Sequence, residues 1–378
     1  MLAQCPHRPP CPGCPRFGRP GIERSALEAL LAFAEPWGVG VPIFEADSRA
    51  YRHRVRLAVR GRPRSPKIGL FRLGTHRIVD IPACPIHHPL INEVVKQVKC
   101  ALRDTGLSLY SDARHLGLVR YLQVVVERAT QTAQVVVVAN SRSAGDLAPL
   151  FDSLSERLGD RLHSLFWNGN RERTNTILGP DWACLRGPSW VGDRMGGVDV
   201  FYPPTAFGQS NPVLAETMVD QVHEWVPAGT TVAEYYAGVG AIGLGLVARS
   251  REVRFNERSQ GSVAGLREGL RRLGVEAERR TRVSVAAAGD VVHWLNDAEV
   301  VIADPPRRGL DPALRAGLSE RSPDSFVYVS CNLSSLLTDL EAILAAGSME
   351  LRALSAWTMF PFTRHVESLA LLRRRGSR

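Results

Sequence analysis

The C-terminal part of the sequence predicts an α/β fold, and two observations lead to this prediction. First, after Gly229 short β-branched runs alternate with helix-like segments, and the runs predicted as strands are 231–234, 253–256, 282–285, 300–303 and 326–329. Strands separated by helices are typical of a parallel sheet. Second, only residues 360–365 separate two further predicted strands. This connection is too short for a parallel crossover, so we expect an antiparallel pair at the sheet edge, formed by 351–359 and 366–373.

Five parallel strands followed by an antiparallel pair resemble the Rossmann-like core of class I methyltransferases, which is a likeness of fold. In open α/β sheets, ligands bind beyond the carboxyl ends of the strands. The residues that follow the predicted strands are therefore the first candidates for a site.

Composition limits the class of protein. The chain has 378 residues, enough for two or three domains, and 44% hydrophobic residues, which is ordinary for a globular protein. No apolar run approaches the roughly 20 residues that span a bilayer, and no secretory signal is visible, so we expect a cytoplasmic protein without membrane contact. The net charge of +9 comes mainly from arginine. This reflects either a GC-rich genome or a polyanionic partner.

The segment 51–200 predicts an α+β domain with one basic face. Strands are expected at 51–60, 67–72, 76–79, 118–127, 132–139 and 174–177, and a helix at 91–102. Alternation places Arg52, Arg54 and Arg56 on one side of the first strand. Because arginines and aromatic residues interleave on several strands, we favour contact with nucleic acid over a merely solvated face.

Cysteine usage sets the N-terminal segment apart. The chain has seven cysteines, an odd number that argues against a disulfide framework. Cys5, Cys11 and Cys14 lie in a Pro- and Gly-rich stretch that cannot bury an apolar face and needs a ligand or contacts to be ordered. We therefore expect three segments: a cysteine-rich segment with a helix (1–50), a nucleic-acid-binding domain (51–200) and the α/β domain (201–378).

A glycine-rich turn follows the first strand of the α/β domain. Gly238 and Gly240 lie where a helix opens, and Glu257 follows the next strand. An acid at that position binds ribose hydroxyls in such folds, so we expect a nucleoside cofactor, which S-adenosylmethionine fits better than a dinucleotide. Asp290 is placed to reach an adenine ring. The alternative is an ordinary strand–helix turn with a surface glutamate.

Two neighbouring strands end in reactive side chains. Asp304 begins a Pro-Pro-Arg turn after one strand, and Cys331 follows the other. Cys331 is a candidate nucleophile, and Glu367 at the start of the last strand is a candidate general base. The alternatives are a small buried cysteine and an edge-strand charge.

Several motifs together resemble the RNA 5-methyluridine (uracil-C5) methyltransferases, and the resemblance extends over nearly the whole chain. The motifs are FGQSN (207–211), YAGVG (236–240), DPPRRG (304–309), SCN (330–332), MFPFTRHVE (359–367), HRIVDIPACP (76–85) and the cysteines of residues 5–14. The pattern is most similar to the iron–sulfur branch that methylates 23S rRNA and lacks an N-terminal TRAM domain.

The resemblance implies roles for individual residues. Cys331 would attack C6 of uracil, and Glu367 would remove the C5 proton. The residues that would line the pocket for S-adenosylmethionine and the target base are Gln209, Tyr236, Glu257 and Asp304. A [4Fe-4S] cluster would be held by Cys5, Cys11, Cys14 and Cys84. The spacing of these cysteines suits a four-thiolate cluster, with a zinc site as the rival.

The resemblance also implies a structured RNA substrate, with rRNA favoured over tRNA, and we expect a monomer. The sequence departs from the family pattern at Glu234, Ala241 and Leu333, which affects details of the pocket. Two other hypotheses stay open: a same-fold enzyme that methylates another atom through the Asp304 turn, and a non-catalytic RNA-binding module. Activity of a Cys331→Ala variant would favour the enzyme that methylates another atom. RNA affinity without methyl transfer would favour the non-catalytic module.

Overall fold

The structure is a computed structural model that describes residues 4–376. The chain forms two compact units, and both are discontinuous in sequence. The first unit comprises Met1–Gly18, Asp47–Asp193 and Gly208–Asn211; the second comprises Arg19–Ala46, Arg194–Phe207 and Pro212–Arg378. Residues 1–3 and 377–378 lie outside the described residues. They are the first residues of the predicted segment 1–50 and the last residues of the predicted segment 201–378.

Two elements of the second unit come before most of the first unit in the chain. They are helix α1 (Arg24–Ala34) and strand β1 (Ile43–Glu45). The helix predicted within segment 1–50 is α1, and its buried residues are Leu30 and Ala34.

A seven-stranded sheet forms the first unit. Its strands are β2 (Arg54–Arg62), β3 (Ser65–Phe71), β4 (Ile78–Asp80), β5 (Val119–Glu127), β6 (Thr132–Ala139), β7 (Leu162–Gly169) and β8 (Asp181–Arg186), in the order β4-β3-β2-β5-β6-β7-β8. Neighbouring strands are antiparallel except β6 and β7. Helices α2 (Pro89–Thr105) and α3 (Ala148–Leu158) bury their apolar faces in the core of this unit.

Residues 174–177 are not a strand, so that prediction was wrong. The segment between β7 and β8 is an irregular loop held by two buried asparagines. The Asn168 amide donates to the carbonyls of Gly179 and Asp181, each at 2.9 Å. The Asn170 amide donates to the carbonyls of Thr176 and Ile177. Side chains satisfy these backbone acceptors in place of a neighbouring strand.

The second unit alternates strands and helices. In chain order its further elements are β9 (Val191–Met195, which begins in the first unit), β10 (Val198–Tyr202), α4 (Pro212–Trp225), β11 (Thr231–Tyr235), β12 (Glu252–Asn256), α5 (Gln260–Leu273), α6 (Val275–Arg279), β13 (Thr281–Ser284), β14 (Val300–Ala303), α7 (Pro312–Glu320), β15 (Ser325–Ser330), α8 (Leu333–Ala345), β16 (Met349–Thr358) and β17 (Glu367–Arg374). Short 3-10 helices lie at Glu35–Trp37, Ala144–Leu147, Gly159–Arg161, Gly243–Leu246 and Ala288–Asn296.

The main sheet has the order β1-β16-β17-β15-β14-β11-β12-β13. The five predicted parallel strands are confirmed as β11 to β15, and β16 and β17 form the predicted antiparallel pair. The pair is not at the sheet edge, because β1 pairs in parallel with β16. The rings of Phe44 and Trp357 stack at 3.9 Å across this pairing. A strand of only three residues gave too little periodicity to be recognised.

Each face of this sheet has its own apolar core, because successive strand residues point to opposite faces. In β14, for example, Val300 and Ile302 belong to one buried cluster, while Val301 and Ala303 belong to another. A strand that is buried on both faces requires a continuous apolar run, which explains the sequence of β14. No helix in the described part of the chain is long and apolar enough to cross a membrane.

Candidate active site

The carboxyl ends of β14 and β15 meet at one edge of the main sheet, since these strands are parallel neighbours. Asp304 directly follows β14, and Cys331 directly follows β15. Strand β17 runs antiparallel to β15, so its first residue, Glu367, lies at the same edge. The fold therefore brings together a carboxylate, a thiol and a second carboxylate that are separated by 27 and 36 residues in sequence.

Cys331 and Glu367 are the residues next to the last pair that joins β15 and β17, and they are close enough for the charge of Glu367 to raise the pKa of Cys331. The last paired residues of these strands are Ser330 and Ser368. Continuing the antiparallel register by one residue places Cys331 against Glu367. Residues that are directly opposite in an antiparallel pair have Cβ atoms about 4.5–5.5 Å apart and project to the same face. A thiol and a carboxyl group are thus presented to the same side of the sheet edge.

Burial and like charges control protonation at this edge. Burial and the neighbouring Asp304 raise the pKa of Glu367 to about 8. Burial and the charge of Glu257 raise the pKa of Asp304 to about 7. Burial, followed by the charges of Glu367 and Asp304, raises the pKa of the Cys331 thiol. The environment of this edge therefore shifts all three groups towards their protonated forms.

Arg307 opposes this effect, and the sequence analysis gave it no role. Its positive charge lowers the pKa of both Cys331 and Glu367. The backbone oxygen of Arg307 accepts a hydrogen bond of 2.9 Å from the Asn332 side chain, and its guanidinium lies 3.4 Å from Nε2 of His365. The signal that could have revealed this role is its position three residues after Asp304, in the same strand-end turn.

Asn332 also organises the turn after Cys331. Its side-chain oxygen accepts a hydrogen bond from the Ser334 amide and caps α8. Capping satisfies one of the free amides at a helix start and typically contributes about 1 kcal/mol. The same side chain thus links the start of α8 to the turn that contains Arg307.

Two of the predicted cofactor residues, Tyr236 and Gly238, lie in the turn after β11, and a third, Glu257, hydrogen-bonds to it. Tyr236 has a φ of +60°, and Gly238 has a φ of +59°. A positive φ is uncommon for a tyrosine, and such strain is often found at functional sites. The Tyr236 hydroxyl accepts a hydrogen bond of 2.8 Å from the Asp311 amide. The Glu257 carboxylate accepts one of 2.9 Å from the Gly238 amide and one of 2.6 Å from the Ser259 amide.

Asp290, which we predicted to reach the adenine ring of the cofactor, also stabilises the start of a short helix. Its carboxylate accepts a hydrogen bond of 3.3 Å from the Ala287 amide, at the start of the 3-10 helix that follows β13. Gln209 is not among the residues that the second unit brings together, because Gly208–Asn211 belongs to the first unit. There the Ser210 carbonyl accepts a hydrogen bond of 2.8 Å from the His53 amide.

Glu234 is a buried acid with a distinctive environment. It is 2% exposed, and no described residue hydrogen-bonds to its Oε2 atom. Burial, followed by the charge of Asp304, raises its pKa well above the usual range of a glutamate, whereas the nearby Gly243 amide acts to lower it. A Cβ atom on Gly243 would lie 2.1 Å from Oε2. Position 243, in the 3-10 helix after β11, therefore requires glycine, because any side chain there would collide with the Glu234 carboxyl group.

The four cysteines predicted as ligands line one cavity of the first unit. This cavity has a volume of about 170 Å³, and Arg8, Arg52 and His87 also line it. Burial and the charges of the other three thiols raise the pKa of Cys14 to about 12. Burial, with the charges of Cys5 and Cys11 acting in the same direction, raises the pKa of Cys84 to about 11. The fold thus gathers thiols that are far apart in sequence, and their mutual repulsion favours protonation.

In the described residues, no group of three or more His, Cys, Asp or Glu side chains is arranged to hold a metal ion. The [4Fe-4S] cluster therefore stays a prediction. A four-iron cluster takes one thiolate from each of four cysteines, and the donor set in the cavity has that composition.

Comparisons with known proteins agree with the fold. A family model described as tRNA (Uracil-5-)-methyltransferase matches residues 195–375. An uncharacterized RNA methyltransferase of Protochlamydia amoebophila is 32% identical over 98% of this chain and 97% of the relative. Another, of Gloeobacter violaceus, is 32% identical over 93% of this chain and 76% of the relative.

One solved structure is similar over most of the chain. The tRNA (uracil-54, C5)-methyltransferase of Pyrococcus abyssi, in complex with S-adenosyl-L-homocysteine, has a TM-score of 0.75 and 26% sequence identity, covering 92% of this chain and 83% of that one. Fold and similarity first define the class: an α/β, S-adenosylmethionine-dependent RNA methyltransferase. Within that class, the chain belongs to the RNA uracil-5-methyltransferase family.

Proposed function

We propose that this enzyme methylates C5 of a uracil in structured RNA by transient covalent addition of Cys331. The observation that carries the proposal is that Cys331 and Glu367 lie together at the edge where β14 and β15 end, next to the last residues that pair β15 with β17. Covalent catalysis needs a nucleophile and a base that reach the same substrate ring from fixed positions. Strand ends provide such positions because the sheet holds their backbones.

The chemistry assigns one step to each group. The Cys331 thiolate forms a bond to C6 of uracil, and the C5=C6 electron pair moves to make C5 nucleophilic. Bound S-adenosylmethionine supplies an electrophilic methyl group for C5. Glu367, as the carboxylate, then takes the C5 proton, the C5=C6 bond re-forms and the C6–S bond breaks to release the thiolate. C5 thus gains a methyl group and loses a proton, while Cys331 is regenerated.

The protonation states of the free enzyme give Arg307 a part in this sequence. At neutral pH, both Cys331 and Glu367 favour the protonated form. The reaction needs the thiolate first and the carboxylate later. A cation that stabilises both negative forms lowers the free-energy cost of each step. We therefore assign Arg307 to stabilising the charged forms of the nucleophile and the base.

The proposed S-adenosylmethionine pocket lies around the turn after β11. Its proposed residues in the second unit are Tyr236, Gly238, Glu257, Asp290 and Asp304. The role of Gln209, which belongs to the first unit, stays a prediction from the resemblance. The positive φ of Gly238 and the backbone hydrogen bonds of Glu257 support this assignment, since they fix the turn without filling it with side chains. Asp304, with a pKa of about 7, has access to a protonated form that donates a hydrogen bond to a base edge.

We also propose that Cys5, Cys11, Cys14 and Cys84 hold a [4Fe-4S] cluster. Support comes from the shared cavity and from the four-thiol composition of its lining. Binding iron would remove the repulsion between neighbouring thiolates and would tie residues 5–14 to the sheet of the first unit. Its role would then be structural. A chelator that removes iron would be expected to loosen this segment first.

The proposed substrate is 23S rRNA, with tRNA as the alternative. The resemblance of the N-terminal cysteines to the iron–sulfur rRNA branch favours rRNA, whereas the matched family model and the similar solved structure are named for tRNA. We further propose a monomer with a cysteine-rich segment (1–50), an RNA-binding domain (51–200) and a methyltransferase domain (201–378). A cytoplasmic location suits its thiol chemistry, because thiols stay reduced there.

Mapping 5-methyluridine tests both the reaction and the substrate. RNA from a deletion strain, analysed by nuclease digestion and mass spectrometry, is expected to lose 5-methyluridine at one position of 23S rRNA. Purified enzyme with S-adenosylmethionine should restore it on that RNA. Loss in tRNA alone would select the alternative substrate. Unchanged 5-methyluridine in all RNA, together with no transfer by purified enzyme, would overturn the proposed function.

A further inference from the structure

Three segments of the first unit present exposed arginines and leucines side by side. The first is the β3–β4 turn, the second is the loop before β5, and the third is the loop after β7. We call this set the arginine–leucine platform, and its residues are Arg72, Leu73, Arg77, Arg114, Leu116, Arg171 and Arg173. Neither the proposed reaction nor the cysteine cavity uses any of these side chains.

Buried polar contacts hold the three segments together. Arg60, 6% exposed, forms a bidentate ion pair with Asp112 at 2.7 and 2.8 Å. Its guanidinium lies within 5.4 Å of the ring centroids of Phe71, Tyr110 and Tyr121, which come from the ends of β3 and β5 and the intervening loop. Arg60 is therefore buried and is not itself part of the exposed cationic surface. It anchors the loop that carries Arg114 and Leu116.

Further contacts fix the third segment against the second. The buried guanidinium of Arg120 donates to the Asn170 side chain and to the Glu172 carbonyl, both at 3.0 Å. Nε2 of His115 lies 3.0 Å from the Arg171 carbonyl. These bonds involve backbone acceptors and buried donors, so the outer side chains are presented from an ordered base. A ligand that binds there loses less free energy to loop ordering.

The outer surface is strongly cationic. The five platform arginines are exposed, and none forms an ion pair with the part of the chain that the structure describes. The carboxylates of these segments are Asp112, which Arg60 neutralises, and Glu172. Arginine binds phosphate oxygens in a bidentate manner and stacks on bases. The excess of unpaired arginines therefore suits a polyanion.

The leucines narrow the choice of polyanion. Leu73 is 80% exposed and Leu116 is 64% exposed, and each lies within two residues of one arginine. Exposed leucines at loop tips are unfavourable in water, and in nucleic-acid complexes such side chains pack against unstacked bases. Sequence-specific RNA recognition uses unpaired bases in loops and bulges. Phosphates and unpaired bases occur together in folded RNA.

We propose that the arginine–leucine platform is a second RNA-binding site, with its arginines on backbone phosphates and its leucines against unpaired bases of the substrate. This inference rests on the proposed function for the identity of the RNA. It goes beyond that function by assigning recognition to residues that take no part in catalysis. The platform contributes to affinity and to the choice of RNA, not to the chemical step.

A charge-matched pair of variants tests the platform. The test variant is Arg171→Ala/Arg173→Ala, and the control is Arg157→Ala/Arg161→Ala. The control arginines precede the start of β7, whereas the test arginines follow its end, about 25 Å away along the strand. Both variants remove two exposed or half-exposed charges from the same unit. Filter binding to transcribed 23S rRNA at several salt concentrations gives Kd and the salt slope.

We expect the test variant to raise Kd about tenfold and to lower the slope of log K against log salt by about 1 per lost phosphate contact. The control should shift Kd less than twofold. A Leu73→Ala/Leu116→Ala variant should weaken binding while leaving the salt slope unchanged. With saturating RNA, the test variant should keep its kcat and show a raised KM.

If the test and control variants bind RNA with equal affinity, the proposal that the platform binds RNA is wrong, even if both variants transfer methyl groups at the wild-type rate. Binding of the platform to anionic phospholipid vesicles, with no change in RNA affinity, would also overturn it. Failure of the proposed function gives a different result: the wild-type enzyme would bind RNA through the platform but transfer no methyl group. Thermal unfolding of each variant checks that the loops still fold.

Discussion

Cys331, Glu367, Asp304 and Arg307 form a small electrostatic network at the end of β14 and β15. Its two carboxyl groups, Asp304 and Glu367, have pKa values of about 7 and about 8, close to the pH at which an enzyme normally operates. Groups with such pKa values exchange protons with little driving force in either direction, which suits general acid–base catalysis. The entry of RNA would exclude water and strengthen each of these interactions.

Replacing Arg307 tests this network through the pH dependence of the reaction. Arg307 lowers the pKa of Cys331 and Glu367, so an Arg307→Ala variant should have higher pKa values for both groups. The acid limb of kcat/KM should then move to higher pH, with a large loss at pH 7 and partial recovery near pH 9. The neighbouring exposed Arg308→Ala serves as the control. A profile that only drops in height would contradict the assigned role.

The Glu367→Gln variant separates the two halves of the reaction. Glutamine keeps the size and polarity of the side chain but cannot take the C5 proton. Covalent enzyme–RNA adduct should accumulate with ordinary uridine RNA and S-adenosylmethionine, while turnover falls by about 10²–10⁴-fold. Denaturing gel electrophoresis with labelled RNA measures the adduct. Normal turnover would exclude Glu367 as the base, and the absence of adduct would place its role before methyl transfer.

At the scale of secondary structure, β11 carries an acid inside the sheet. Glu234 is flanked on β11 by the buried residues Ala233 and Tyr235. Its raised pKa means that the folded state binds its proton more tightly than the unfolded state does. Stability from this group is therefore fully present below the unfolded pKa and is lost as the pH rises towards the folded pKa.

A Glu234→Gln variant should remove this part of the pH dependence. The melting temperature of the wild type is expected to fall as the pH rises from about 4.5 through neutrality. The reason is that Glu234 ionises freely in the unfolded chain over this range but stays protonated in the folded protein. The variant should show a smaller decrease over the same range, because its amide does not titrate. Calorimetry at matched ionic strength makes the comparison. Identical slopes would show that Glu234 ionises as easily as an exposed acid.

The sequence predicted those elements that carry strong periodicity. Strands β14 and β15 were recognised because each is mainly an apolar run, as expected for a strand buried on both faces. The other three parallel strands were recognised from the alternation of short strand-like and helix-like segments. Strand β1 was missed because three residues carry no period. The loop after β7 was mistaken for a strand because Thr174 and Ile177 have high β propensity, whereas buried asparagine side chains hold that backbone. Local propensity does not report such distant contacts.

At the scale of the whole molecule, both compact units combine distant parts of the chain. Residues 5–14 line a cavity with Cys84, although about 70 residues separate them. Spacing alone left a zinc site as an alternative to a four-iron cluster. For the reaction site, strand order predicted that Cys331, Asp304 and Glu367 share an edge. The role of Arg60 depends on its particular neighbours, and the sequence showed no sign of these. For Arg307 the only signal was its position in the turn after Asp304.

Iron content tests the cysteine cavity. Protein purified without oxygen should contain about four iron and four sulfide per chain and absorb near 400 nm, as expected for a [4Fe-4S] cluster held by four cysteines. Cys14→Ser should lose the iron and show faster proteolysis near the N-terminus. Cys184→Ser is the matched control, since Cys184 is exposed and outside the cavity. Equal iron content in both variants, or one zinc per chain, would contradict the cluster.

The central claim is that Cys331 bonds to the substrate uracil, and covalent trapping tests it most directly. RNA that contains 5-fluorouridine should form a stable adduct with the wild-type enzyme and S-adenosylmethionine, because fluorine cannot leave C5 as a proton does. Peptide mass spectrometry should find the RNA fragment on Cys331, and Cys331→Ala should form no adduct and transfer no methyl group. Adduct on another cysteine, or methylation of uridine by Cys331→Ala, would contradict the account.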